Sequence, residues 1–82
     1  MNPSVIAAEP LPDYQLRIRF ENDEIRDFDT KPFLDKGIFV ELKDEAYFKA
    51  VKVSFGSVEW PNEQDFSKDT LYLLGTPPST TA

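Results

Sequence analysis

Carboxylates and aromatic rings are the main chemical material in this chain, which has no histidine and no cysteine. Two polar groupings could carry a function. The first is Glu21, Asp23, Glu24, Asp27 and Asp29; carboxylates gathered on a hairpin suit a calcium ion or a general acid and base pair. Their spacing opposes this, because a calcium loop needs oxygen ligands at alternate positions, a glycine at the sixth and a glutamate at the twelfth. The plainer expectation is a solvated hairpin whose charge is offset across the strands by Arg17, Arg19 and Arg26. The second grouping is Asn62, Asp65 and Asp69, spaced to converge below the single tryptophan, Trp60. Such side chains accept backbone N–H groups in turns and at helix starts. The alternative for this stretch is a recognition surface built from Trp60, Asn62, Asp65, Asp69 and Tyr72, since aromatics beside fixed polar groups are typical of interface anchors.

Other chemistries lack their parts. Without histidine or cysteine there is no triad, thiolate nucleophile or zinc finger, and nothing to activate Ser54, Ser57, Ser67, Thr30 or Tyr47. The glycines stand singly at 37, 56 and 75, so there is no phosphate-cradling loop. We therefore expect no enzyme, no cofactor and no metal site. Fifteen acidic against nine basic residues leave a net charge of −6, with the basic residues scattered along the chain. Direct binding to nucleic acid through its phosphates is not expected. No apolar run is long enough to span a membrane, and the N-terminus lacks the basic segment and apolar core of a signal peptide, so a cytoplasmic protein is expected.

The elements that must position these residues are short. Eighty-two residues make one small domain, expected over 1–74, with 75–82 as a flexible polar tail. Ser4–Ala8 reads as an edge strand ended by Pro10 and Pro12. Tyr14, Leu16, Ile18 and Phe20 alternate with Gln15, Arg17 and Arg19, the period of a strand with one wet face. A tight turn at Asn22-Asp23 leads into a strand over Ile25–Asp29, where Ile25 and Phe28 fall on opposite faces unless a bulge intervenes. The segment from Thr30 to Val40 is irregular and should tuck Phe33, Leu34 and Phe39 against the sheet. A brief helix follows over Leu42–Ala50, with Asp44 as its N-cap. Val51, Val53 and Phe55 form a fourth strand, Gly56-Ser57 a turn, and Val58 with Trp60 a fifth. Asp69 caps a last helical turn. The seven phenylalanines, Phe55 included, are read as core. The expected fold is α+β: a small, hairpin-rich antiparallel sheet of about five short strands, one short helix packed on it, and a short C-terminal helical turn.

The chain also resembles a known family, the short bacterial domains of unknown function 2442. The resemblance runs over residues 4–72. It is carried by Val5-x-x-x-Glu9-Pro10-Leu11, by Tyr14-x-Leu16-x-Ile18-x-Phe20, by Phe28-Asp29 and by Gly37-x-Phe39-x-x-Leu42 with Phe48 following. Its most specific part is Trp60-Pro61-Asn62-x-x-Asp65-x-x-x-Asp69-x-Leu71-Tyr72. Where relatives often have Asn-Gly in the hairpin turn, this chain has Asn22-Asp23. The resemblance implies a small α+β domain, joined in longer relatives to a helix-turn-helix domain, and a pairing with a small neighbouring protein in toxin–antitoxin-like modules. This chain continues for only ten residues after Tyr72, so it is expected to carry no DNA-reading helix pair of its own.

Three functions remain open at this point. The leading one is a non-catalytic protein-interaction module whose partner is a basic, toxin-like protein or a second copy of itself. The acidic surface would favour a basic partner, and the edge Ser4–Ala8 is the candidate for strand addition. The second is a metal-binding or enzymatic domain using Asp27, Asp29, Asp65 or Asp69. The third is an acidic mimic of nucleic acid.

Overall fold

The computed structural model describes residues 2–78. Its architecture is α+β, built from two small antiparallel sheets that share one core. The first sheet is a meander of β1 (Val5–Leu11), β2 (Gln15–Phe20) and β3 (Ile25–Asp29). The second holds β4 (Lys52–Ser54), β5 (Ser57–Glu59) and β6 (Asp65–Phe66). Six strands in two sheets thus replace the expected five in one. A pair of 3-10 helices, Lys31–Phe33 and Gly37–Lys43, and the single turn α1 (Glu45–Phe48) bridge the sheets, and α2 (Lys68–Leu74) closes the chain.

β2 follows from its period of two: Leu16, Ile18 and Phe20 are fully buried, and Phe28 opposite Leu16 joins them from β3. Ile25, three residues earlier, stays exposed, so β3 needs no bulge. The irregularity lies in β1, where the register shifts between Val5 and Ala7. Asp23 adopts φ +68 in the β2–β3 turn, and the Asn22 side chain accepts the Glu24 N–H at 3.1 Å. An Asx residue serves there because its short polar side chain bonds locally while tolerating the left-handed backbone.

Two expectations about β1 change. The strand runs through Pro10 to Leu11 and does not end at Ala8. A proline fits because β1 is an edge, where one flank of the strand needs no ladder donor. That edge is partly taken: the Val5 N–H donates to Gly56 O at 2.9 Å, which docks the β4–β5 hairpin against β1. The opposite edge, β3, is capped midway by Thr76, whose N–H and C=O both bond Asp27 at 2.9 Å. Residues 75–78 therefore include an ordered sheet contact where a polar tail is expected; residues 79–82 lie outside the described ones.

Asp44 caps α1 by accepting the Ala46 N–H at 3.0 Å, as its position before the helix suggests. The helix is only Glu45–Phe48, and Leu42 belongs to the preceding 3-10 segment. Phe33, Leu34 and Phe39 do pack on the core. Phe55 does not: it is fully exposed, while the other six phenylalanines are in or against the core. No helix among the described residues is long and apolar enough to cross a membrane.

Candidate functional site

The residues singled out around Trp60 divide between two places. Trp60 itself is a core residue at 1% exposure, so it is not part of a surface. Its ring lies against Phe48 and Phe66, and its indole Nε1–H donates to the Phe48 carbonyl at 2.9 Å. A buried indole needs such an acceptor, and the end of α1 supplies it. The turn after Pro61 is held by Gln64, a buried residue that sequence reasoning passes over. Its side-chain oxygen accepts the Tyr47 hydroxyl at 2.6 Å, and its amide donates to Ile38 O at 2.9 Å and to Glu41 at 3.0 Å. Replacing Gln64 by leucine should cost about 1–3 kcal/mol of stability, because three hydrogen bonds of a buried side chain are lost at once. Urea denaturation of the variant checks this.

Asn62 is exposed and belongs to the same turn: its N–H donates to the Tyr47 hydroxyl at 2.8 Å and its side-chain amide to Glu41 at 2.7 Å. Asp65 is exposed on β6, opposite Glu59. With Glu63 these carboxylates surround an open depression of about 430 Å³ beside Pro61. Lys52 pairs Glu59 at 3.6 Å. Among the described residues no group of His, Cys, Asp or Glu side chains is placed to hold a metal ion.

Asp69 and Tyr72 lie on α2. Asp69 is not the cap; Ser67 is, accepting the Thr70 N–H at 3.2 Å, and Asp69 instead accepts the Asn2 side chain at 2.8 Å. Tyr72 meets Phe20 edge-on at 5.1 Å and lies under the Arg26 guanidinium at 3.7 Å, and its hydroxyl donates to Glu24 at 2.7 Å. Arg26 also donates to Glu24 and to the Tyr72 carbonyl. Tyr72, one of the five residues of the supposed recognition set, is thus part of a latch that fixes α2 to the β2–β3 hairpin.

The hydrogen bond from Tyr72, then that from Arg26, hold the Glu24 carboxyl below the usual glutamate range, and the same bond pushes the Tyr72 hydroxyl up. A carboxyl depressed in the folded state adds stability that is present above its unfolded value, about 4.3, and is lost as pH falls through the folded one. The wild-type melting temperature should therefore drop below about pH 4.3 more steeply than that of Glu24→Gln. Parallel thermal melts across that range measure the difference.

Asp23, Asp27 and Asp29 of the acidic hairpin are paired with basic side chains, and Glu21 accepts the Ser4 N–H at 2.8 Å. Asp27, buried, receives Arg17 Nε at 2.9 Å and Nη2 at 3.1 Å, and Asp27 raises the Arg17 pKa in return. Asp23 meets Arg19 at 3.2 Å, and Lys31 meets Asp29 at 3.5 Å. The hydroxyls considered as nucleophiles serve structure: Thr30 donates to Tyr14 O at 2.7 Å, and Ser57 accepts the Lys68 N–H at 3.1 Å.

The feature that sequence reasoning missed is the tip of the β4–β5 hairpin. Phe55 and Gly56 form the turn between Ser54 and Ser57, at φ +49 and +77. A two-residue hairpin turn with both φ positive favours Asn, Asp or Gly at both positions. Gly56 is required twice over, since a Cβ there would sit 2.9 Å from the Ser4 hydroxyl. Phe55 has no such reason: its side chain touches nothing that buries it, at 103% exposure. An x-Gly pair between two short β-branched runs is a turn signal, but the apolar ring reads instead as a strand residue.

Compared with known proteins, residues 5–77 match the model of the family described as Protein of unknown function (DUF2442). The chain belongs to that family. No curated protein and no solved structure matches it. In this DUF2442 domain the matched span takes in all six strands, both 3-10 helices and both α-helices. Thr76, which closes the β3 edge, falls inside it as well.

Proposed function

We propose that this DUF2442 domain is a non-catalytic protein-interaction module, and that it engages its partner through Phe55 at the hairpin tip. The observation that carries the reading is the combination of full exposure and left-handed backbone at that residue. A non-glycine residue in this conformation costs roughly 1 kcal/mol or more. A phenylalanine kept there gains nothing in the fold to offset that cost. Strained backbone of this kind clusters where a protein contacts ligands, and exposed aromatic rings are characteristic anchors of interfaces. Val53 on β4 and Ile6 on β1 are also exposed, on the two segments that the Val5–Gly56 hydrogen bond joins.

The net charge of −6 favours a basic partner and a fast encounter at low salt. An antitoxin-like or regulatory role in the cytoplasm, beside a small basic protein, is the form of this reading that the family resemblance suggests. Strand addition at β1 has less room than its edge position suggests, because the Val5 N–H is already used. The test is capture from a lysate of the source cell by the full chain carrying a photo-crosslinking phenylalanine analogue at position 55. The reading expects one stoichiometric adduct, either a basic protein or the chain itself. No adduct, together with a monomeric sedimentation profile, would count decisively against it.

A further inference from the structure

The β1–β2 turn and α1 flank a second apolar feature, well formed and distinct from the hairpin tip. A cleft of about 280 Å³ opens there, walled by Leu11, Pro12, Tyr14 and Phe48. Clefts with apolar walls and a few placed charges are the usual form of a binding site. Its size suits one ring-bearing side chain. Tyr14 is fixed in advance, its hydroxyl donating to Lys43 O at 2.5 Å and its ring meeting Phe48 edge-on at 5.5 Å. The wall is also strained: Asp13 and Tyr14 are consecutive non-glycine residues at φ +64 and +60. The mouth carries Asp13, Glu45 and Lys49. Lys31 pairs Asp13 at 2.7 Å, whereas Glu45 enters no ion pair among the described residues.

We propose that this cleft takes an aromatic side chain from a basic segment of the partner protein. The inference rests on the interaction-module reading and adds to it a second anchor with its own chemistry. Apolar walls of proline and aromatic rings fit a flat ring, which stacks on them without needing a polar partner. The charge at the mouth selects what stands beside that ring. Lys31 already pairs Asp13, which leaves the Glu45 carboxylate beside Lys49, and the −6 net charge of the chain tips this balance towards a cation. A lysine or arginine next to the inserted ring is therefore favoured over a glutamate.

The domain contains its own reporter. Phe48 lines the cleft and its ring lies 6.0 Å from that of Trp60, the only tryptophan. Filling the cleft should alter Trp60 fluorescence. We would titrate the full chain with N-acetyl-Phe-Lys-amide and N-acetyl-Phe-Glu-amide, with phenethylamine as a third probe. The expected result is a saturable fluorescence change that needs roughly threefold to tenfold less of the lysine probe than of the glutamate probe. Glu45→Lys, an exposed change at the start of α1, should abolish that preference while leaving the fold intact. Absence of saturation by the lysine probe, equal affinity for the two dipeptides, or saturation by phenethylamine alone would each overturn the proposal. Loss of dipeptide binding while the position-55 adduct persists would remove the cleft only. Dipeptide binding without any adduct would remove the hairpin reading and keep the cleft.

Discussion

Trp60→Ala should lower the stability of the domain by about 3–5 kcal/mol. Small domains are stable by only about 5–15 kcal/mol in total, so this change leaves the chain at the edge of unfolding. Two losses combine. The indole is the largest fully buried side chain, and it fills the space between Phe48 of α1 and Phe66 of β6. Its removal opens a cavity where the aromatic contacts of Phe66 with Phe28, Phe33 and Phe39 begin. The Phe48 carbonyl also loses its Nε1–H donor. Trp60→Phe separates the two, because it keeps an aromatic ring in place and removes the hydrogen bond; it should cost about 1–3 kcal/mol. Guanidinium unfolding of both variants gives the numbers, and a loss below about 1 kcal/mol for Trp60→Ala would show that the core does not depend on this ring.

Phe55→Ala should leave the fold unharmed and weaken partner binding by about 2–4 kcal/mol, which is roughly 30-fold to 1000-fold in affinity. The turn makes the two effects unequal. In the isolated domain the ring is fully exposed, so truncating it removes no burial. Asparagine at the same position should even stabilise the domain by about 0.5–1 kcal/mol, because it tolerates φ +49 better than phenylalanine does. In the complex we propose, the same ring is the buried anchor, and truncation of a central aromatic anchor is among the costliest changes an interface suffers. Stability and binding should thus move in opposite directions, a pattern expected where a protein holds a strained residue for function.

Much of the first sheet was legible in the sequence. β2 shows the period of two, the β2–β3 turn uses Asn22 and Asp23, and Asp44 is an N-cap recognisable from its residue type. The second sheet was harder for physical reasons. β6 is two residues, Asp65 and Phe66, too short to show any period, and it exists because β5 offers a partner. Ser67 wins the cap of α2 from Asp69 because the helix starts at Lys68, a boundary that periodicity does not fix to the residue. Gln64 looks like one more surface polar residue until the fold brings Tyr47, Ile38 and Glu41 around it. Phe55 failed for the opposite reason: hydrophobicity marks the ring for the core, and only the turn geometry forces it outward. For Trp60 and Tyr72 the sequence leaves a recognition surface open as the alternative, because aromatics beside Asn and Asp resemble interface anchors. The structure spends one in the core and the other on the Glu24–Arg26 latch.

Whether Phe55 anchors the partner is decided by calorimetric titration of the captured partner into the wild-type chain and into Phe55→Asn. Binding should be at least about thirtyfold weaker for the variant, whose melting temperature should equal or exceed that of the wild type. Equal affinities in a folded variant would contradict it.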